Sequence, residues 1–338
     1  MLKGLKQRWG PLVCSWVPLE LWHRLTRMEL LLPRYHLVGE QEPAHVKGLS
    51  IFRGVEQFKT DIEFFLRSYV PVNLQDIVSH LDGSSQLPRR CFLPTFDDGF
   101  REIHDVVEPI LTSEGIPAVF FLNPSVLDNN ELLWDQKKSL LISTMAAVED
   151  SPQKGESLRI LTNAGVKGQD LPSRIRSIPY CQRHLLDELG LVLACDFEAY
   201  VASVEPYLTS DQTRGLIRKG FAIGGHSVDH ALYTELSVDE QLAQTRASVA
   251  HLSEHFQYEC QSFAFPYRDT GVLPSFFEGL YGDGRIKVTF GSDGMHHHFH
   301  HRNLERFKME YPGLRASQIL AREFFLFLSR KPSWVDME

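Results

Sequence analysis

The sequence predicts an α/β fold in which βα units surround a mainly parallel sheet and a helical insertion interrupts them once. Three observations carry this. Short apolar runs of strand length alternate with stretches of helical periodicity, as expected when each strand is followed by a helix that covers it. The 338 residues are 43% hydrophobic, enough to bury a large core. The alternation lapses between about 132 and 219, where the pattern stays helical.

The candidate strands are 29–36, 91–96, 118–122, 221–225, 262–266 and 287–290. Phe58, Ile62, Phe65 and Leu66 mark one helix, and Ile103, Val106, Val107, Ile110 and Leu111 another. Periodicity is clearest over 238–256. There Val238, Leu242, Thr245, Val249, Leu252 and Phe256 recur at alternating steps of four and three, and Ser237 with Glu240 forms a capping box at the start. The organisation expected is an N-terminal helical extension over 1–28 and a main domain over 29–330. The insertion at about 132–219 would form a lobe or lid, with a polar, glycine-bearing stretch near 151–168.

The formal net charge is −8 and no basic stripe is present, which argues against a nucleic-acid groove. Cys14, Cys91, Cys181, Cys195 and Cys260 are scattered without a C-x-x-C pair, so reduced thiols are expected rather than a disulfide framework. At the N-terminus Lys3, Lys6 and Arg8 precede an apolar stretch, but Pro11, Pro18 and Glu20 break it and no small-residue cleavage site follows. The expected location is cytoplasmic. Leu12, Val13, Trp16, Val17, Leu19, Leu21, Trp22 and Leu25 either pack on the domain as a helix or rest peripherally on the inner face of a membrane.

Three segments carry chemistry. The first is Thr95-Phe96-Asp97-Asp98-Gly99, an apolar strand running into two carboxylates. Consecutive strand residues point to opposite faces, so one acid can bind a metal while the other handles a proton. The same residues also suit a simple turn in which one acid caps the next helix. The second is Gly224-Gly225-His226-Ser227-Val228-Asp229-His230. Histidines four apart on one face of a helical turn can share a metal, or be mere surface decoration. The third is Phe263-Ala264-Phe265-Pro266-Tyr267, where proline fixes a bend and the Tyr267 N–H can face the site.

In this order the segments resemble the polysaccharide deacetylase family, also called the NodB-homology or carbohydrate esterase 4 family. Thr95 to Gly99 matches its T-F-D-D-G motif, His226 and His230 its H-[ST]-x-x-H motif, and Pro266-Tyr267 the end of its third. The resemblance implies a distorted (β/α) barrel holding one divalent metal, usually zinc. It assigns Asp98, His226 and His230 as ligands, Asp97 as general base and the Tyr267 N–H as oxyanion donor. The family usually draws its general acid from a late histidine motif, which is absent after Tyr267. A rearranged subgroup, similar to poly-N-acetylglucosamine deacetylases, carries it in an early Tyr-His pair. Tyr35-His36 matches that, which makes His36 the acid, near the metal on the side opposite Asp97; the bland alternative is a structural strand-end histidine.

There are departures. The base-orienting arginine of many members is replaced by Ala264, and Arg268 stands where the subgroup often has glycine. Asp293 is a weak surrogate for the missing fourth motif. His296, His297, His298, His300 and His301 form a dense cluster, read as an exposed loop that either holds metal adventitiously or borders the substrate groove. The implied activity is removal of N-acetyl groups from an amino sugar of a bacterial polysaccharide or its precursor. The alternatives are a deformylase or deacylase of a lipid-linked sugar, a deacylase of a non-sugar amide, and a catalytically inactive carbohydrate-binding module.

Overall fold

The computed structural model describes residues 17–145, 151–297 and 300–330. Eight strands share one sheet: β1 (Pro33–Tyr35), β2 (Thr95–Phe96), β3 (Val119–Leu122), β4 (Ala222–Gly225), β5 (Ser262–Ala264), β6 (Val288–Gly291), β7 (Asn303–Glu305) and β8 (Phe307–Lys308). Their spatial order is β7-β6-β5-β4-β3-β2-β1-β8, and every neighbouring pair is parallel. The edge strands β7 and β8 are consecutive in the chain, with Arg306 alone between them. One stretch of backbone therefore forms both edges, and the sheet is a nearly closed, distorted barrel of the kind the sequence implied.

Side-chain alternation explains why the strands read as unbroken apolar runs. Leu32, Leu93, Val119, Phe121, Ala264, Val288, Phe290 and Leu304 fill the interior. Tyr35, Phe96, Phe120, Ile223 and Phe263 point outwards into the layer under the helices. Both faces are buried, as parallel sheets require. Gly224 lies on the inner face, where a Cβ would stand 2.4 Å from the Phe121 ring; no side chain fits between β4 and β3 at that point.

The expected strand 29–36 is split into Leu30–Leu31 and Pro33–Tyr35, and 91–96 into Cys91–Phe92 and Thr95–Phe96. Pro33 and Pro94 have no N–H to give to the ladder, and the splits fall at or beside them. The short strands Phe52–Gly54, Val70–Pro71, Asn303–Glu305 and Phe307–Lys308 escaped the sequence reading.

The helix Val238–Phe256 begins at the capping box: Ser237 Oγ accepts from the Glu240 N–H, and the Glu240 carboxylate accepts from the Ser237 N–H. Helix Val55–Ser68 also forms. The pattern from Ile103 opens as a π-helical turn, Ile103–Val107, ahead of Glu108–Ser113; Pro109 lacks the N–H that a regular α-helical turn would need there.

Between β3 and β4 lie the helices Trp134–Thr144, Pro152–Asn163, Leu171–Arg176, Leu185–Val192, Phe197–Val204 and Ser210–Arg218. They enclose an apolar cluster that includes Leu141, Leu161, Ile175, Leu186 and Leu189. At the N-terminal end, helix Leu19–Thr26 packs on Ala316–Ser329, with Trp22 stacked 6.4 Å from Phe324. Leu12, Val13 and Trp16 lie outside the described residues. No described helix is long and apolar enough to cross a membrane. Cys91, Cys181, Cys195 and Cys260 are free thiols.

Candidate metal and acid–base site

The three motif segments leave β2, β4 and β5 at their C-terminal ends and meet there. Each turns out of its strand through a residue in the left-handed region: Asp98 at φ 71°, His230 at φ 61° and Tyr267 at φ 58°. Such backbone costs on the order of 1–3 kcal/mol per residue and persists only where its surroundings fix it.

Asp98 is buried, and its Oδ1 has no hydrogen-bond donor among the described residues. His226 Nε2 lies 3.5 Å and His230 Nε2 3.3 Å from that oxygen. Donor atoms around a tetrahedral metal with bonds of 2.0–2.1 Å sit about 3.3 Å apart, so the spacing suits a shared cation. His226 Nδ1 donates to the Ala264 carbonyl at 2.8 Å, which leaves its Nε2 lone pair facing Asp98. Burial works against charge on Asp98, but His230 and His226 outweigh it and lower its pKa to about 2. An orphaned buried oxygen facing two ring nitrogens fits a divalent metal.

The two histidines do not sit on a helical turn, contrary to the sequence expectation. Residues 226–230 form a loop that Ser227, at φ 60°, and His230 fold back on itself. Outside partners hold it. Asn123 Nδ2 donates to the His226 carbonyl and, at 3.2 Å, to that of Ser227, while Trp134 Nε1 donates to the His230 carbonyl at 2.9 Å.

Asp97 is fully buried and points into the barrel beside Thr95, two residues earlier on the same face. Arg306 grips both its oxygens, Nη1 to Oδ1 at 2.5 Å and Nη2 to Oδ2 at 2.9 Å, and Arg34 Nη1 stands 3.7 Å away. Burial alone would raise its pKa; the charges of Arg306, His226, His36 and Arg34 together hold it well below the usual carboxylate range.

His36 lies beside these groups without joining the ligand cluster. Its Nδ1 bonds Glu310 Oε1 at 2.9 Å, and the same oxygen accepts from its backbone N–H at 2.6 Å. Its Nε2 is 3.9 Å from Asp97 Oδ2. It therefore adjoins Asp97 instead of standing opposite it. The Tyr267 ring packs 4.5 Å from His230 and its hydroxyl donates to Asp135, while no described residue accepts from its backbone N–H.

Arg306 and Glu310 were missed by the sequence reading. The guanidinium absent at Ala264 on β5 arrives from Arg306, just after β7 and beyond the intervening β6. The only available signal was the strand 303–308, whose polar residues hide its alternation. Among the other candidates, Asp293 accepts a loop hydrogen bond from the Thr270 N–H at 3.0 Å, and Arg268 is exposed. His300 stacks on Tyr281 and His297 against Phe327, whereas His298 lies outside the described residues.

The barrel has the fold of the NodB-type polysaccharide deacetylases. Three solved structures share it: a Streptococcus pyogenes deacetylase, PplD, in complex with acetate (TM-score 0.56, 12% identity, covering 88% of this chain and 98% of that one); IcaB from Ammonifex degensii (0.54, 15%, 88% and 97%); and a de-N-acetylase from Aggregatibacter actinomycetemcomitans (0.53, 15%, 87% and 100%). At these identities the likeness establishes the fold. No family model and no curated protein sequence matches the chain.

Replacing Arg306 with Met should cost up to about 3–5 kcal/mol in urea denaturation, because buried Asp97 loses both guanidinium hydrogen bonds and keeps, of its two arginines, only the more distant Arg34. Adding Asp97→Asn should recover part of that loss. A double variant no more stable than Arg306→Met would show that the guanidinium acts through its other contacts.

Proposed function

We propose that the chain is a metal-dependent hydrolase that removes N-acetyl groups from an amino sugar of a bacterial polysaccharide or its precursor. The observation that carries this is the convergence of Asp98, His226 and His230 on one point beside Asp97 and His36, in the fold that deacetylases use. Held by Asp98, His226 and His230, a divalent ion, Zn2+ by the chemistry of its donors, would supply Lewis acidity towards the acyl carbonyl and an activated water.

The chain's own residues divide the proton work. Asp97 accepts the proton of the attacking water. Arg306 and Arg34 keep it ionised and fix its plane, and the same pairing makes it release that proton readily. His36 Nε2, 3.9 Å away, is placed to deliver a proton to the departing nitrogen. Glu310 holds the His36 ring through Nδ1, which fixes the direction in which Nε2 points. The Tyr267 N–H donates to the developing oxyanion.

Incubation with a panel of N-acetyl and N-formyl amino sugars tests the reading. Acetate release that stops on chelation and returns with Zn2+ is expected. Binding without release of acetate or formate by metal-loaded protein would leave a binding module instead.

Asp97→Asn and His36→Ala should both keep their metal and lose about 10²–10⁴-fold in turnover on an N-acetyl substrate. His36→Ala should lose much less on an activated ester, whose leaving group needs little protonation. Equal losses on both substrates would reduce His36 to a shaping role.

A second reading, a lipid-linked substrate met at a membrane surface, is favoured by exposed apolar residues on two packed helices. Leu21 and Leu25 share one face of Leu19–Thr26, and Phe325 and Leu328 one face of Ala316–Ser329. Flotation with anionic phospholipid vesicles should then carry the wild type and leave Leu21→Glu/Leu25→Glu behind. Wild type remaining at the bottom of the gradient would remove this reading.

A further inference from the structure

The barrel wall carries a second group of metal-ligand side chains on its other face. Val288, Phe290 and Leu304 point into the barrel, so alternation sends Thr289, Gly291, Asn303 and Glu305 outwards. There Glu305, at the end of β7, meets Asp269 from the turn after β5 and His296 from the loop after β6. Their ligand atoms all lie within 4.8 Å of one another, and His296 Nε2 is 3.3 Å from Glu305 Oε1.

We propose that Asp269, His296 and Glu305 form a second site, for a first-row divalent cation such as Zn2+ or Mn2+, separate from the Asp98 centre. Three further observations point to a ligand. First, the Glu305 side chain is only 4% exposed, and its Oε2 is buried without a hydrogen-bond donor among the described residues. The backbone makes room for that oxygen: a Cβ on Gly291 would stand 2.2 Å from it. Second, His296 Nδ1 donates to the Gly294 carbonyl at 3.0 Å, which fixes the ring with its Nε2 facing Glu305. His226 is held in the same way by the Ala264 carbonyl, with its lone pair towards Asp98.

Third, the carboxylates are oriented from outside. Asn303 Nδ2 donates to Asp269 Oδ2 at 2.9 Å and to Glu305 Oε1 at 3.1 Å, and Thr289 Oγ1 donates to Asn303 Oδ1 at 2.7 Å, which fixes the amide. The Ser292 N–H donates to Asp269 Oδ1 at 3.1 Å. Two carboxylates thus share one amide donor in a buried place, where their like charges face each other. A cation bound by two carboxylates and an imidazole would remove that repulsion. Bound there, it would clamp the ends of β5, β6 and β7 and steady the backbone next to Arg306.

The test is metal counting on Asp98→Ala/His226→Ala protein, which removes the first centre. After incubation with Zn2+ or Mn2+ and desalting, elemental analysis should find one equivalent, and the metal should raise the melting temperature. Adding Glu305→Gln or Asp269→Asn should abolish both effects, and His296→Ala provides a third route should either fold poorly. Two equivalents are expected in the wild type. A double variant that binds nothing would overturn the second site, leaving a shared proton or a protonated His296 to balance the acids. Retention of the equivalent after Glu305→Gln and Asp269→Asn would place the ion on the loop's other histidines and overturn it equally. Failure of the Asp98 centre reads differently: the wild type and Asp98→Ala/His226→Ala would then bind the same amount.

Discussion

The structure turns on the pairing of Arg306 with Asp97. Arg306 is the single residue between the two strands that close the barrel, and its donors reach across the closure. Nε bonds the Gly291 carbonyl at the end of β6, Nη1 reaches Thr95 and Asp97, and Nη2 reaches Asp97 and Ser292. Closing the sheet and orienting the carboxylate are therefore one event. A buried ion pair adds little net stability over an apolar core of the same shape, because both charges must be desolvated. Here its value lies in geometry. Apolar side chains could fill the space, but they would fix neither the plane of Asp97 nor its charge.

The same pair shows where sequence reading succeeds and stops. The strands with apolar inner and outer faces were legible, since β2, β3, β5 and β6 are buried on both sides and read as continuous runs. The residues following β2, β4 and β5 were legible as motifs, because short-range spacing along the chain records them. The last strands were not. Asn303 to Lys308 place polar and apolar residues on both faces: Leu304, Arg306 and Lys308 alternate inwards, against Asn303, Glu305 and Phe307 outwards. A strand whose inner face carries an arginine for the site has no hydrophobic signature. Glu310 was lost for the same reason, since its partner His36 lies 274 residues earlier.

The pair of histidines exposes a different limit. Spacing of four suggested a helical turn, yet the chain reaches a shared oxygen by two left-handed residues in a loop. Periodicity gives the distance between side chains only when the backbone is regular. At a strained site the backbone is set by groups remote in sequence, and nothing local announces them.

Those remote groups place the helices between β3 and β4 inside the chemistry. Trp134 and Asp135 open the first of these helices, and they hold the His230 carbonyl and the Tyr267 hydroxyl. Lys138, one turn on, lies 3.3 Å from Asp135 and over the Trp134 ring, so the two anchors are braced against each other. The helices pack around an apolar cluster distinct from the one inside the barrel. The left-handed conformations of His230 and Tyr267 are thus maintained by a cluster that these helices share with Leu37, Val46, Phe100 and Ala231 from the barrel's connecting segments. Loosening that core would release one candidate metal ligand and the candidate oxyanion donor together. Asp97 is held instead by Arg306, and His226 by Ala264 and Asn123. The turn after Asp98 also leans on the insertion, through the Leu208 N–H to the Gly99 carbonyl and the Arg101 N–H to the Pro206 carbonyl.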